Sequence, residues 1–431
     1  MIKTKNQIIE YFESGIKDPK DFKIGIEHEK FLFDNKNNKR VNYPKIKEMF
    51  TALLEFGWNP VFEKENIIAL NKGGKNITLE PGNQIELSGD KLNHMHEACS
   101  ESQDYLFELK QVTKKLNIKI VSAGFDPISK LNEIPNNPKQ RYEVMTKDMP
   151  LGGELSLDMM YRTCGTQLNV DYESEEDFIK KFKVSNAIVP ISIALFANSS
   201  IVEKKSSSYL SYRSKVWQNT SRGGLPRLFL ENLNFERYAD FVINFPILFI
   251  QDKDQYISGR NYIFKDFMEG KIEEINNRLP EEAELTTHLS TIFTENRLKK
   301  YIELRSMDTC GWDCLCAGPA FNMGMLYGNL DEVHDLVSKW EVDKIINAYL
   351  EAPQKGFNTQ LMGKDLLYWS STLLDLSRKG LETRDVMSKK GKNETIFLNH
   401  LQNVIDNKTT NADHMINKFS KNEDLNELYD K

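Results

Sequence analysis

Three stretches of this chain alternate so that acids and amides, not apolar residues, gather on one strand face. In residues 25–33 (GIEHEKFLF) Glu27 and Glu29 lie two apart, which on a strand places both on one side, roughly 7 Å from each other. In residues 166–172 (TQLNVDY) Gln167, Asn169 and Asp171 oppose Leu168, Val170 and Tyr172, and in residues 301–308 (YIELRSMD) Glu303 and Arg305 oppose Ile302 and Leu304. A fourth stretch, residues 77–88, carries Glu80 and Glu86 about a Pro-Gly break. Taken singly, each is compatible with a half-exposed antiparallel strand whose polar side is solvated. Together they are not typical of a solvent face, because Gln, Asn and Glu are poor strand formers. The five carboxylates on one face would repel one another without cations between them. Carboxylate and amide oxygens are the hard ligands that Mg²⁺ takes, especially beside phosphate. Arg305 adds a fork of donors for a phosphate oxygen. The pattern therefore predicts a Mg-nucleotide cradle on a concave antiparallel sheet. No glycine-rich phosphate loop competes with it, since Gly73-Gly74-Lys75 lacks the remainder of that motif.

The rest of the chain supplies the frame. The spacing predicts an amphipathic helix within residues 1–20 and a helix over 44–56 ending at Gly57. Strands over 66–71 and 76–88 are joined at Gly73-Gly74. A helix over 91–116, a strand over 119–124 and a helix over 175–198 follow. Residues 126–155, with four prolines and Gly152-Gly153, read as a loop-rich insertion that serves as a lid or binding loop. Residues 317–420 read as mostly helical, packed on one catalytic domain of residues 1–431, and the tail 421–431 reads as frayed. Strands joined by hairpins and flanked by helices make the fold class α+β.

Charge and apolar content narrow the partners. With 57 Lys+Arg against 63 Asp+Glu, the net charge of −6 opposes bulk attraction to nucleic acid or anionic membrane. The longest apolar runs, residues 187–197 and 241–250, are too short to span a bilayer. The charged N-terminal segment has no apolar leader, and five cysteines are too few for a disulfide scaffold, so a cytoplasmic location is expected.

Over roughly residues 20–420 the sequence resembles glutamate–cysteine ligase of the plant and proteobacterial type. The anchors are GIEHEKF (25–31), LEPGNQIELSG (79–89), MYRTCGTQLN (160–169), FANSS (196–200), YRSKVW (212–217) and YIELR (301–305). The resemblance implies a glutamine synthetase-like fold with an antiparallel funnel. It implies ATP-dependent joining of the glutamate γ-carboxylate to the cysteine amine, through a γ-glutamyl phosphate, with two or three Mg²⁺. By motif match, Glu27, Glu29, Glu80, Glu86 and Glu303 are metal ligands and Gln167 adds an amide oxygen. Asn169 lies near the metal or phosphates, and Arg305 with Glu303 serves the phosphoryl step. Arg213, Trp217, Arg222 and Arg162 are assigned to substrate, with pairing to a buried acid the alternative for Arg162. His28, on the opposite strand face, reads as structural. After Trp217 the family's acidic stretch is replaced by Gln218-Asn219-Thr220-Ser221, so that loop's contribution departs from the family pattern. A ligase using another amine, and a catalytically silent metal- or nucleotide-binding protein, are the other readings. The partners implied are small molecules, and the chain is a monomer or a redox-dependent homodimer.

The resemblance also pairs Cys99 with Cys316 as a redox-sensitive disulfide; the alternative is five reduced, packed thiols. Cys310, Cys314 and Cys316 have no neighbours at zinc spacing, and Cys164 reads as packing.

Overall fold

The computed structural model describes residues 1–253 and 255–422. Nine antiparallel strands form one sheet: β1 (Ile24–Asp34), β2 (Asn59–Glu63), β3 (Asn66–Lys72), β4 (Lys75–Leu79), β5 (Ile85–Ser88), β6 (Ile118–Val121), β7 (Gly165–Val170), β8 (Asn296–Leu298) and β9 (Ile302–Asp308). Their order is β8-β9-β7-β1-β5-β4-β3-β2, with β6 pairing the far half of β1. The register is what matters for chemistry. Glu27 stands opposite Gln167 and Ser88, Glu29 opposite Glu86, and Glu303 opposite Asn169. Directly paired residues share a face, so the acids predicted from alternation all point to one side.

The other side is apolar and covered by helices. Ile24, Ile26, Leu168, Val170, Ile302 and Leu304 are buried there with the aromatic and aliphatic residues of α6 (Glu175–Ala187) and α7 (Val189–Leu195). Behind β3–β5, α2 (Tyr43–Leu53) and α3 (Met95–Lys115) close a second core through Phe50, Leu109, Ile77 and Leu87. Each such fully buried side chain contributes roughly 1.5–3 kcal/mol. His28 is on this apolar face, fully buried against Tyr105, and burial holds its pKa well below the usual imidazole value. It is a neutral packing residue, as its position on the strand predicts.

Several boundaries differ from the sequence reading for local reasons. The helix expected over 175–198 is two helices, because Pro190 lacks the N–H an unbroken helix needs and begins α7 instead. The strand expected over 76–88 is interrupted at Pro81-Gly82, where Asn83 takes a positive φ of 60° and β5 restarts at Ile85. The edge strand β2 escapes pattern reading because Pro60 and the exposed Phe62 leave it no alternation. The insertion 126–155 contains a helix, α4 (Gln140–Asp148). With α5 (Ser156–Arg162), α8 (Tyr212–Trp217) and the hairpin Phe249–Asp252/Gln255–Ser258, it roofs the acidic side of the sheet through a third apolar cluster. The frayed tail expected at 421–431 lies almost wholly outside the described residues. No helix among the described residues is long and apolar enough to cross a membrane.

Candidate active site

Between the acidic side of the sheet and this roof lies a cavity of about 370 Å³. Glu27, Glu29, Glu80, Glu86, Gln167 and Arg305 all line it, together with Trp217 of α8. The structure thus brings most of the sequence-predicted set to one place.

The acids divide electrostatically. Glu303, on β9, is fully buried and ringed by cations: Arg297 Nη2 and Nε donate to it at 2.7 and 3.0 Å, Lys299 Nζ lies at 3.1 Å and Arg305 Nη1 at 2.5 Å. Burial alone would raise its pKa, but these three charges hold it well below the usual carboxylate range. On β1 and β5 no such ring exists. Burial, reinforced by Glu303 and Glu86, pushes Glu27 up to about 7. Burial and the neighbouring Glu80 push Glu86 up to about 7 as well. Glu29 is raised by burial and by Glu86 and Glu80, although the Gly165 N–H donates to it at 2.5 Å.

The amides brace this arrangement. Gln167 Oε1 accepts from Arg305 Nη1 at 2.5 Å, and Asn169 Nδ2 donates to Glu27 at 2.7 Å. Gln167 therefore orients the arginine with the oxygen expected to face a metal, and Asn169 is tied to an acid. Glu303, read as a metal ligand, does not line the cavity; its carboxylate is paired with Arg297, Lys299 and Arg305.

The arginines assigned to substrate stand outside this cavity. Arg213 donates to the Arg305 carbonyl at 2.8 Å with its guanidinium over the Trp217 ring, 5.3 Å from the centroid. Arg222 bonds the Thr291 and Pro246 carbonyls at 2.9 Å and stacks on Phe245, and burial lowers it to about 9. Arg162 pairs with Asp158 at 2.8 Å and Glu203 at 3.3 Å over the Phe125 ring. None of the three lines the cavity. Sequence shows that a charge is present but not which way it points. Conversely, Arg141 of the insertion, Arg297 of β8 and Gln84 of the β4–β5 turn do line it. Arg297 stands in the basic run 296–300, and only the β8–β9 pairing sets it opposite Glu303. Gln84 stands within the anchor 79–89, two residues before Glu86, while Arg141 had no signal beyond its place in the insertion.

The loop after Trp217 packs against the insertion: Ser221 N–H donates to the Gly152 carbonyl at 2.6 Å, and a Cβ on Gly153 would meet Asn219 O at 2.1 Å, so only glycine fits there. Cys99 and Cys316 form a disulfide, and so do Cys310 and Cys314, a pair the spacing did not reveal. Cys164 is a buried free thiol, raised by burial and Glu29.

Among the described residues no three acidic, histidine or cysteine side chains converge into a closed metal shell. The donor chemistry nevertheless fits a hard divalent cation. Glu27, Glu29 and Glu86 crowd on one face, their pKa values raised by burial and then by mutual repulsion, and Asn169 Oδ1 is buried without a partner.

The antiparallel sheet, its helical cover and its acidic cavity together define a glutamine synthetase-like fold. The backbone resembles the crystal structure of a glutamate–cysteine ligase from Francisella tularensis in complex with AMP, with a TM-score of 0.54 and 14% identity over 94% of this chain and 86% of that one. A bifunctional glutathione synthetase from Pasteurella multocida gives a TM-score of 0.53 at 12% identity, over 99% of this chain and 53% of that one. In sequence, the chain is 38% identical over 422 residues to the chloroplastic glutamate–cysteine ligase B of Oryza sativa subsp. japonica, covering 96% of this chain and 84% of the relative. The chloroplastic enzyme of Arabidopsis thaliana is 37% identical over 423 residues, covering 97% and 80%. Residues 23–431 match the model of glutamate–cysteine ligase family 2, and the chain belongs to that family.

Proposed function

We propose that the protein uses ATP to phosphorylate the γ-carboxylate of glutamate and then joins that carbon to the amine of cysteine, releasing phosphate and giving γ-glutamylcysteine. The observation that carries this reading is the meeting, in one cavity, of the family's acids with Arg305 and Gln167. A carboxylate is a poor electrophile until phosphorylated, and the phosphoryl step brings two anions together. Glu27, Glu29, Glu80 and Glu86 are the residues that would hold magnesium, which when bound neutralises phosphate oxygens during transfer. Arg305 donates to the transferring phosphoryl group from a position set by Glu303 and Gln167, and Arg297 extends the cationic wall beside it. Trp217, with Arg305 5.4 Å from its ring centroid, walls the amino-acid end and excludes water.

The test is product identification by mass spectrometry, omitting ATP, Mg²⁺, glutamate or cysteine in turn. The reading expects γ-glutamylcysteine and ADP only in the complete mixture. Turnover with a different amine, and none with cysteine, would overturn the acceptor assignment.

A further inference from the structure

Arg40 carries its charge in the interior, outside the cavity, and touches both the floor and the roof of the site. It stands in the loop after β1, bridged to Phe33, with its guanidinium 4.7 Å from the Phe31 ring centroid. With Asp126 it forms an ion pair, Nη1 to Oδ2 at 3.0 Å, in which neither side chain is exposed. The same Nη1 donates to the Tyr161 carbonyl at 3.3 Å, and Nη2 donates to the Gly82 carbonyl. Tyr161 belongs to α5, whose Met159 and Met160 line the cavity, and Gly82 stands in the β4–β5 turn between Glu80 and Glu86. Asp126 opens the insertion, and its Oδ1 accepts from the Ile128 and Ser129 N–H groups, each at 2.8 Å. The turn is gripped at a second point by Asn83, whose Nδ2 donates to the Val41 carbonyl at 3.1 Å. It lies so close to α5 that a Cβ on Gly82 would meet Tyr161 O at 2.6 Å. Inside the turn, the Glu80 N–H donates to the Gln84 carbonyl and the Asn83 N–H to the Glu80 carbonyl, both at 2.9 Å. No hydrogen bond or ion pair among the described residues holds the Glu80 carboxylate itself. The backbone of the turn therefore sets where that acid stands.

We propose that Arg40 is a positioning residue for Glu80: its fork fixes the β4–β5 turn against α5 and keeps the Glu80 carboxylate beside Glu29 and Glu86, where they can share a divalent cation. The metal role of these acids is part of the ligase reading above, on which the inference rests. A buried ion pair adds little net stability, because two apolar side chains of similar volume would serve as well. What the guanidinium adds is direction. Its donors lie in one plane at fixed angles, so one side chain holds an acid and two carbonyls from three separate segments in a single relative placement. A lysine in the same position has the charge but not the fork, and it releases the turn while still facing Asp126. Residues that orient a metal ligand without touching the metal act in this way on affinity.

The test is a double-mutant cycle on the full chain, with Arg40→Lys, Glu80→Gln and the two combined. Mn²⁺ binding is read by electron paramagnetic resonance without substrates, and the Mg²⁺ concentration giving half-maximal turnover is read with them. Arg40→Lys is expected to weaken Mn²⁺ binding and raise the Mg²⁺ requirement by about tenfold, with the KM for glutamate within about threefold of wild type. In the Glu80→Gln background the same substitution should change Mn²⁺ binding by less than about twofold, since the carboxylate it positions is gone. If Arg40→Lys does not fold, Asn83→Gly, which keeps the positive φ and loses only the bond to Val41, is read in the same way. A folded Arg40→Lys protein with wild-type Mn²⁺ affinity overturns the proposal. So does a tenfold loss that persists in the Glu80→Gln background, which would mean a general loosening of the fold. Wild type that binds Mn²⁺ but makes no γ-glutamylcysteine refutes the reaction, while the binding cycle still decides the role of Arg40.

Discussion

Glu303 on β9 and the group Glu27, Glu29 and Glu86 on β1 and β5 are the same residue type on the same side of one sheet, yet they meet opposite electrostatic conditions. Three cations hold Glu303 ionised. The other three crowd one another and are raised. The first is a finished device that fixes Arg297 and Arg305 before any ligand arrives. In the proposed reaction the second is completed by an external cation that shares the site. Burial is common to both, so the difference lies in whether the chain supplies the countercharge.

Breaking the finished device should have the largest effect. Glu303→Gln leaves three buried cations without their acid and frees Arg305, so turnover should fall by about 10³-fold or more and the melting temperature should drop. ADP release and a thermal melt check both; an active, equally stable variant would refute the role. Glu86→Gln should separate the two regions. It should cost about 10²-fold in activity but raise, or leave unchanged, the melting temperature of metal-free protein at pH 8, because it removes a repelling charge. A clear loss of stability would mean that Glu86 already has its countercharge.

The pH dependence has a defined sign. Glu27 and Glu86 rise from the ordinary carboxylate value of 4.5 to about 7, so the folded state holds their protons longer than the unfolded state. Their protonated forms favour folding below the lower value, and that contribution is lost as pH rises through about 7. Metal-free protein should therefore melt lower at pH 8 than at pH 6, and Mg²⁺ should restore more at pH 8 because it competes with protons. Melts at both pH values with and without Mg²⁺ decide it. The smallest effect on activity is expected from Arg222→Lys, which lies outside the cavity. The melting temperature should fall, while the KM for glutamate stays within about threefold.

The alternation of β1, β7 and β9 was enough to place the acidic face, because a period of two leaves no choice of side once the strand is recognised. It could not reveal the cations opposite Glu303, since Arg297 reaches it through hairpin pairing, nor Arg141, which a helix inside a long insertion carries across the face. That Arg213, Arg222 and Arg162 stand outside the cavity escaped the sequence for the converse reason. Their motifs fix where the backbone runs, while carbonyls and acids on later elements decide where each guanidinium turns. Cys310 and Cys314 paired because Gly311 and a short helical turn bring them together, a conformation that three intervening residues do not announce.

The strand order has a kinetic consequence. β1 sits between β5, which follows closely in sequence, and β7, whose Gln167 arrives 140 residues after Glu27. β9 joins only beyond that. The cavity is therefore assembled from contacts between distant parts of the chain, and topologies of this kind fold slowly. On a ribosome, the acids of β1 and β5 are extruded well before Arg305 and Glu303 exist. For that interval the nascent chain carries an unpaired edge on β1, with its charged face unroofed, and chaperone demand should peak there.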